Sequence, residues 1–149
     1  MKVLGIGNAI VDVMCKVNES FISQNSLIKG NMKLIFSENE FNNLLSKLKI
    51  EKTISGGSVA NSIVGLSQLG NSVGFIGKIS NDNLGEKYEL GLIKEKVNYI
   101  YFKKKEQLPT GTCLILITPD SERTMCTYLG TAGKINENDI NIDAIKKSE

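Results

Sequence analysis

The residues best suited to chemistry lie in Ser55-Gly56-Gly57-Ser58-Val59-Ala60-Asn61, where two glycines stand just before a helical pattern and an amide falls in its first turn. Glycine lets a ligand approach the backbone closely. The first N–H groups of a helix are free to meet oxygen atoms, and an asparagine can both donate to and accept from a hydroxyl. The plain alternative is a tight strand-to-helix turn capped by Ser58 or Ser55. Asp12 is the second candidate, a carboxylate on the polar side of an otherwise apolar strand, four residues after Gly7-Asn8. A carboxylate accepts strongly from paired hydroxyls, and an exposed strand residue is the plain alternative. Gly5-Ile6-Gly7 does not make a dinucleotide fingerprint, because Ile10 stands where the third glycine belongs and no helical pattern follows.

Strands and helices must position these groups. Val3–Ile6 is a short apolar run, and Val11–Val17 alternates Val11, Val13, Cys15 and Val17 with Asp12, Met14 and Lys16, a strand with two different faces. Asn31–Phe36 predicts another strand. Ser37 with Glu40 matches a capping box, and Phe41, Leu44, Leu45 and Leu48 then form one helical stripe. Val59–Leu69 predicts a helix stopped by Gly70-Asn71, followed by a buried strand over Val73–Ile76. Leu84–Lys96 predicts a helix weakened by Gly91. Strands are expected over Tyr99–Phe102, Thr112–Thr118 and Arg123–Leu129, with a turn at Pro119-Asp120-Ser121, and a final helix within Ile135–Glu149. Alternating strands and helices suit an α/β sheet, while the strands near Asp12 and after Thr112 suit a partly solvated antiparallel layer. The expected architecture is a layered α/β body with a small β lid.

Composition narrows the chemistry. With 149 residues, 41% hydrophobic and 23% charged, the chain suits one ordinary globular domain. A net charge of +2 is too small for the field that nucleic acid or an anionic membrane requires. The dense basic run Lys103-Lys104-Lys105 reads as a solvated loop. Three cysteines without metal-ligand spacing read as small core residues in a reducing cytoplasm. Neither a signal peptide nor a membrane span is expected. The absence of histidine excludes His-based general bases and His-ligated metals within the chain.

Gly7-Asn8 with Asp12, Gly56-Gly57 with Asn61, and Gly77-Lys78-Ile79 followed by Asp82 and Gly85 occur in the order and approximate spacing seen in the N-terminal part of ribokinase/PfkB-family kinases. The stretch Gly56–Gly85 resembles that family's first signature. Thr110-Gly111-Thr112-Cys113, Arg123-Thr124-Met125 and Gly130-Thr131-Ala132 are similar to its adenosine-kinase-like branch. Ser80 stands where many members have glycine, and nothing resembles the second signature with its catalytic aspartate and anion hole.

The resemblance implies a ribokinase-like α/β fold, with residues 1–149 forming the N-terminal part of one kinase domain and lid strands at about 8–17, 31–36 and 99–129. It implies that Asn8, Asp12, Gly56, Gly57 and Asn61 hold the hydroxyls of a sugar or nucleoside, that Arg123 meets the transferred phosphate, and that Asp82 either caps a loop or touches ligand. The activity implied is transfer of the γ-phosphoryl group of ATP, with Mg2+, to a hydroxymethyl group. No catalytic residue or metal ligand is expected within the chain, which alone is expected to be inactive. A homodimer through the lid strands and a cytoplasmic location are also implied. The alternatives are a non-catalytic sugar- or nucleoside-binding module and an interaction fragment.

Overall fold

The computed structural model describes residues 1–102 and 104–149. The strands are β1 (Val3–Ile6), β2 (Ile10–Lys16), β3 (Met32–Leu34), β4 (Ile50–Gly56), β5 (Val73–Ile76), β6 (Asn98–Tyr99), β7 (Gly111–Ile117) and β8 (Arg123–Tyr128). The α-helices are α1 (Glu19–Gln24), α2 (Glu38–Leu45), α3 (Ser58–Gln68), α4 (Asn83–Lys94) and α5 (Ile142–Lys146). Short 3-10 turns cover Gly130–Lys134 and Glu137–Asp139. None of these helices is long and apolar enough to cross a membrane.

The chain divides into two units. The first comprises Met1–Val11, Ile54–Gly111 and Gly130–Glu149. Its parallel sheet has the order β1-β5-β6, with Leu4 opposite Gly74 and Phe75 opposite Tyr99. All four residues of β5 are buried, as a central strand of a parallel sheet requires. Helix α3 packs on β1 and β5, inserting Ala60 and Ile63, while α4 contributes the fully buried Tyr88 and Leu92. Each fully buried side chain of this size contributes about 1.5–3 kcal/mol of transfer free energy. Gly91 lies inside α4 because the helix runs close to β4 there, a Cβ at this position falling 2.1 Å from Ser55 Oγ. Ser55 Oγ itself donates to the Tyr88 carbonyl at 3.0 Å.

The second unit comprises Asp12–Thr53 and Thr112–Leu129. It is built on a five-stranded sheet of order β3-β8-β7-β2-β4. Strands β7 and β8 form the expected antiparallel hairpin, with Cys113 opposite Thr127 and Ile117 opposite Arg123, and Ser121 N–H closes the turn on Thr118 O at 2.8 Å. One face of the sheet buries Val13, Cys15, Leu114, Leu116 and Cys126 with Ile22, Phe41 and Leu44. The alternation read in Val11–Val17 is therefore real: Val11, Val13 and Cys15 are buried, while Asp12 and Met14 are half-buried on the other side.

Several elements differ from expectation. The strand expected over Tyr99–Phe102 is only Asn98–Tyr99, after which Phe102 is exposed. Residues 99–111 belong to the first unit, because Tyr99 pairs with Phe75 and Thr110 is tied to Ser80 and Asp82. Ser37 caps α2 by accepting from Glu40 N–H at 3.3 Å, but the Glu40 carboxylate turns to Lys33 at 2.8 Å instead of closing the box. The expected final helix is the five-residue α5. Of the basic run, Lys103 lies outside the described residues, and Lys104 and Lys105 are exposed.

Candidate functional site

In the first unit, the turns that leave β1, β4 and β5 come together. Gly7 N–H donates to Ile76 O at 3.1 Å, joining the first turn to the end of β5. A Cβ at Gly77 would lie 2.8 Å from Gly7 O, and one at Gly57 would lie 2.5 Å from Asn8 O. Gly57 also has φ +96°, a conformation L side chains rarely adopt, so two independent constraints require glycine here. The backbone of Gly7-Asn8 is thus packed directly against Gly57 and Gly77.

Gly57 is the N-cap of α3, and no side chain caps the helix. Neither Ser55 nor Ser58 takes that role: Ser55 binds the Tyr88 carbonyl, and Ser58 is already the first helical residue. The start of α3 therefore opens on a glycine, with Asn61 one turn in and exposed, its own N–H bound to Gly57 O at 2.9 Å. Asn8 is exposed as well. Asn8, Gly56, Gly57 and Asn61 are brought together in this unit, where two amide side chains and a bare helix start can meet ligand oxygen atoms.

Two tyrosines lie behind these turns. Tyr88 of α4 donates its hydroxyl to Gly56 O at 3.3 Å, and Tyr99 of β6 donates to Gly77 O at 2.5 Å. Their rings stand edge to face with centroids 6.0 Å apart, and both pack on Phe75. Burial, with the nearby Tyr88, Glu89 and Tyr101, raises the Tyr99 hydroxyl well above its ordinary value, keeping it a proton donor. Nothing in the sequence marks these residues as partners of the turns, since the pairs stand 32 and 22 positions apart.

Asp82 is occupied structurally. One of its oxygens caps α4 by accepting from Gly85 N–H at 2.8 Å and also takes the Thr110 hydroxyl at 2.8 Å, while the other accepts from Thr110 N–H at 2.9 Å. Ser80 keeps negative φ, so the turn accommodates a serine there without strain. Lys78 is buried, its ammonium 2.9 Å from Asp139, and Glu106 lies at 3.6 Å and accepts from Tyr101. Burial raises the Asp139 carboxyl, but the Lys78 and Asn136 hydrogen bonds overcome this and hold it below its ordinary value. This cluster anchors the Glu137–Asp139 turn.

Asp12 and Arg123 belong to the second unit. Burial pushes the Asp12 carboxyl from 3.8 up to about 6, and its charge reaches the buried Cys113 thiol. Arg123 is exposed at the start of β8, opposite Ile117. Ile117 stands four residues along β7 from Cys113, roughly 13 Å at strand rise. Among the described residues no group of three or more acidic or thiol side chains could hold a metal ion.

A sequence profile of the pfkB family carbohydrate kinases matches residues 28–149. The chain belongs to the pfkB family. Among curated pfkB relatives, it is 28% identical over 125 residues to 5-dehydro-2-deoxygluconokinase of Mesomycoplasma hyopneumoniae strain 232, covering 83% of this chain and 37% of the relative. It is 28% identical over 152 residues to adenosine kinase 2 of Arabidopsis thaliana, covering 98% and 41%. The crystal structure of adenosine kinase from Sinorhizobium meliloti superimposes with a TM-score of 0.88 at 34% identity, over 99% of this chain and 45% of that one. A probable sugar kinase from Rhizobium etli CFN 42 gives the same TM-score at 32% identity, over 99% and 44%. The chain spans less than half the length of these relatives, and the mixed α/β fold expected from the motifs is theirs.

Proposed function

We propose that this pfkB-family chain is the acceptor-binding half of an ATP-dependent kinase acting on the hydroxymethyl group of a sugar or a nucleoside such as adenosine. The observation that carries this reading is the packing of Gly7-Asn8, Gly56-Gly57 and Gly77 into one set of turns at the start of α3. Asn8, Gly56, Gly57 and Asn61 are assigned to ligand hydroxyls there. Asp12 is assigned as a carboxylate acceptor for a hydroxyl, and Arg123 as a contact for the transferred phosphate, which its planar, permanently charged fork suits. Residues 1–149 are taken as the N-terminal part of one kinase domain, with lid strands in the second unit.

ATP and Mg2+ are the cofactors of the proposed reaction, and their main binding segments are assigned to the portion of the relatives' length that this chain does not match. Phosphoryl transfer depends on positioning and electrostatic stabilisation of donor and acceptor together. What these residues contribute is the choice and orientation of the acceptor. The free thiols of Cys15, Cys113 and Cys126 support a reducing, cytoplasmic setting. The edge strand β4 exposes Ile50, which supports self-association through the second unit. A strictly monomeric species by light scattering at high concentration would remove that part of the proposal.

The acceptor is tested with a thermal-shift panel of ribose, fructose, adenosine and inosine. A bound ligand at one hundred times its Kd stabilises by about 2.7 kcal/mol. At least one member of the panel is expected to raise the melting temperature, and Asp12→Asn to reduce that rise. No shift with any of the four would overturn the assignment of an acceptor site.

A further inference from the structure

The Gly56–Gly57 and Gly77–Lys78 peptides line the turns to which acceptor hydroxyls were assigned, and each has its carbonyl held from the protein interior. A trans peptide is planar, with its C=O and N–H pointing to opposite sides. Wherever the carbonyl of such a glycine peptide is fixed, the following N–H is aimed the other way. At glycine no Cβ limits rotation of the peptide plane, so a hydrogen bond to the carbonyl adds to what strand β4 and the packing against Gly7-Asn8 already fix.

Tyr88 reaches Gly56 O from α4, and Tyr99 reaches Gly77 O from β6. The two rings brace each other at 6.0 Å and 68° and rest on Phe75, so both hydroxyls are held by packing as well as by their acceptors. Tyr88 is fully buried, and Gly57 is partly open to solvent. We propose that Tyr88 and Tyr99 are positioning residues for the acceptor: by holding the Gly56 and Gly77 carbonyls inward, they fix the two turns so that the Gly57 N–H is aimed away from the aromatic cluster as a preset donor to a ligand hydroxyl oxygen. The proposal rests on the acceptor-site reading and deepens it. A rigid donor adds discrimination for an acceptor that carries the matching hydroxyl, because no ordering of the turn is left for binding to supply.

The test uses the native-length protein with Tyr88→Phe and Tyr99→Phe, which keep the rings and remove the hydroxyls. Tyr101→Phe serves as the control, since it also removes a tyrosine hydroxyl bond in the same unit, to Glu106, whose carboxylate neighbours the Lys78 ammonium and neither the Gly56 nor the Gly77 carbonyl. Calorimetry compares adenosine with 2′-deoxyadenosine and 3′-deoxyadenosine, and ribose with 2-deoxyribose. Each turn variant is expected to lower the preference for a hydroxylated probe over its deoxy partner at least threefold, leaving affinity for the deoxy partner within twofold. Tyr101→Phe is expected to lower the melting temperature and leave the preference in place.

A wild-type preference that survives in both turn variants, or that falls equally in Tyr101→Phe, overturns the positioning role while leaving the acceptor site standing. A wild-type protein that binds none of these probes overturns both. If the variants do not fold, hydrogen exchange on the unmodified protein decides. Saturation with a binding probe should slow exchange of the Gly57 amide at least tenfold, and unchanged exchange overturns the proposal.

Discussion

Burial of Asp12 acts in opposite directions on stability and on ligand binding. Its carboxyl is raised from 3.8 to about 6, so between these values the folded chain holds a proton that the unfolded chain has released. That contribution to stability is fully present below about pH 4 and is lost as pH rises to about 6. A ligand hydroxyl that donates to the ionised carboxylate prefers the other form, so acceptor affinity should rise from pH 5 to pH 7.5. Asp12→Asn should flatten this profile and weaken acceptor binding by about 1.5–3 kcal/mol, the range for a hydrogen bond to a charged group. Calorimetry at the two pH values checks both, and a pH-independent affinity in the unmodified protein would leave Asp12 a surface carboxylate. The placement of Asp12 on the second, half-buried face of its strand was legible because Val11, Val13 and Cys15 alternate with it, while its role toward a ligand is part of the proposal. The hydrogen bonds of Tyr88 and Tyr99 to the turn carbonyls were not legible, because a buried aromatic in a helix or short strand reads as core whether or not its hydroxyl holds a distant carbonyl.

Glycine placement within the helices separates propensity from packing. Gly65 in α3 has nothing within 4 Å of a Cβ position, whereas Gly91 in α4 lies against Ser55 Oγ. Gly65→Ala should therefore stabilise by about 1 kcal/mol through helix propensity. Gly91→Ala should destabilise by about 1–3 kcal/mol through overpacking, despite the same gain in propensity. Urea unfolding of the two variants checks the pair, and a stabilised Gly91→Ala would show that α4 can move off β4. In the sequence Gly91 looked like a weakness, since periodicity carries no information about what a helix face approaches. For a related reason β4 went unseen: Lys52 lies between Ile50 and Ile54 on one face of an exposed edge strand and Glu51 on the other, so charge masks the strand pattern. Helix α1 escaped because only Asn18, which accepts from Phe21 N–H at 2.9 Å, marks its start. Elements with a buried face and a clear stop, such as β2, β5 and α3, were readable nearly to the residue.

For the molecule as a whole, the isolated 149 residues should not transfer phosphate. Incubated with Mg-ATP and each acceptor of the panel, the purified chain is expected to give no more phosphorylated product than an enzyme-free control. Turnover abolished by Asp12→Asn would place the chemistry within these residues. The two-unit division also bears on how the protein is made. Met32 of β3 pairs with Met125 of β8, 93 positions later, and the second unit cannot be finished until its final hairpin is synthesised. At about 5–20 residues per second, translation leaves β3 waiting roughly 5–19 s for its partner. The apolar face that α2 later packs on β8 stays uncovered through the same interval. The nascent second unit is therefore where a chaperone has most to protect, and slow codons between residues 35 and 110 would lengthen that exposure without changing a single amino acid.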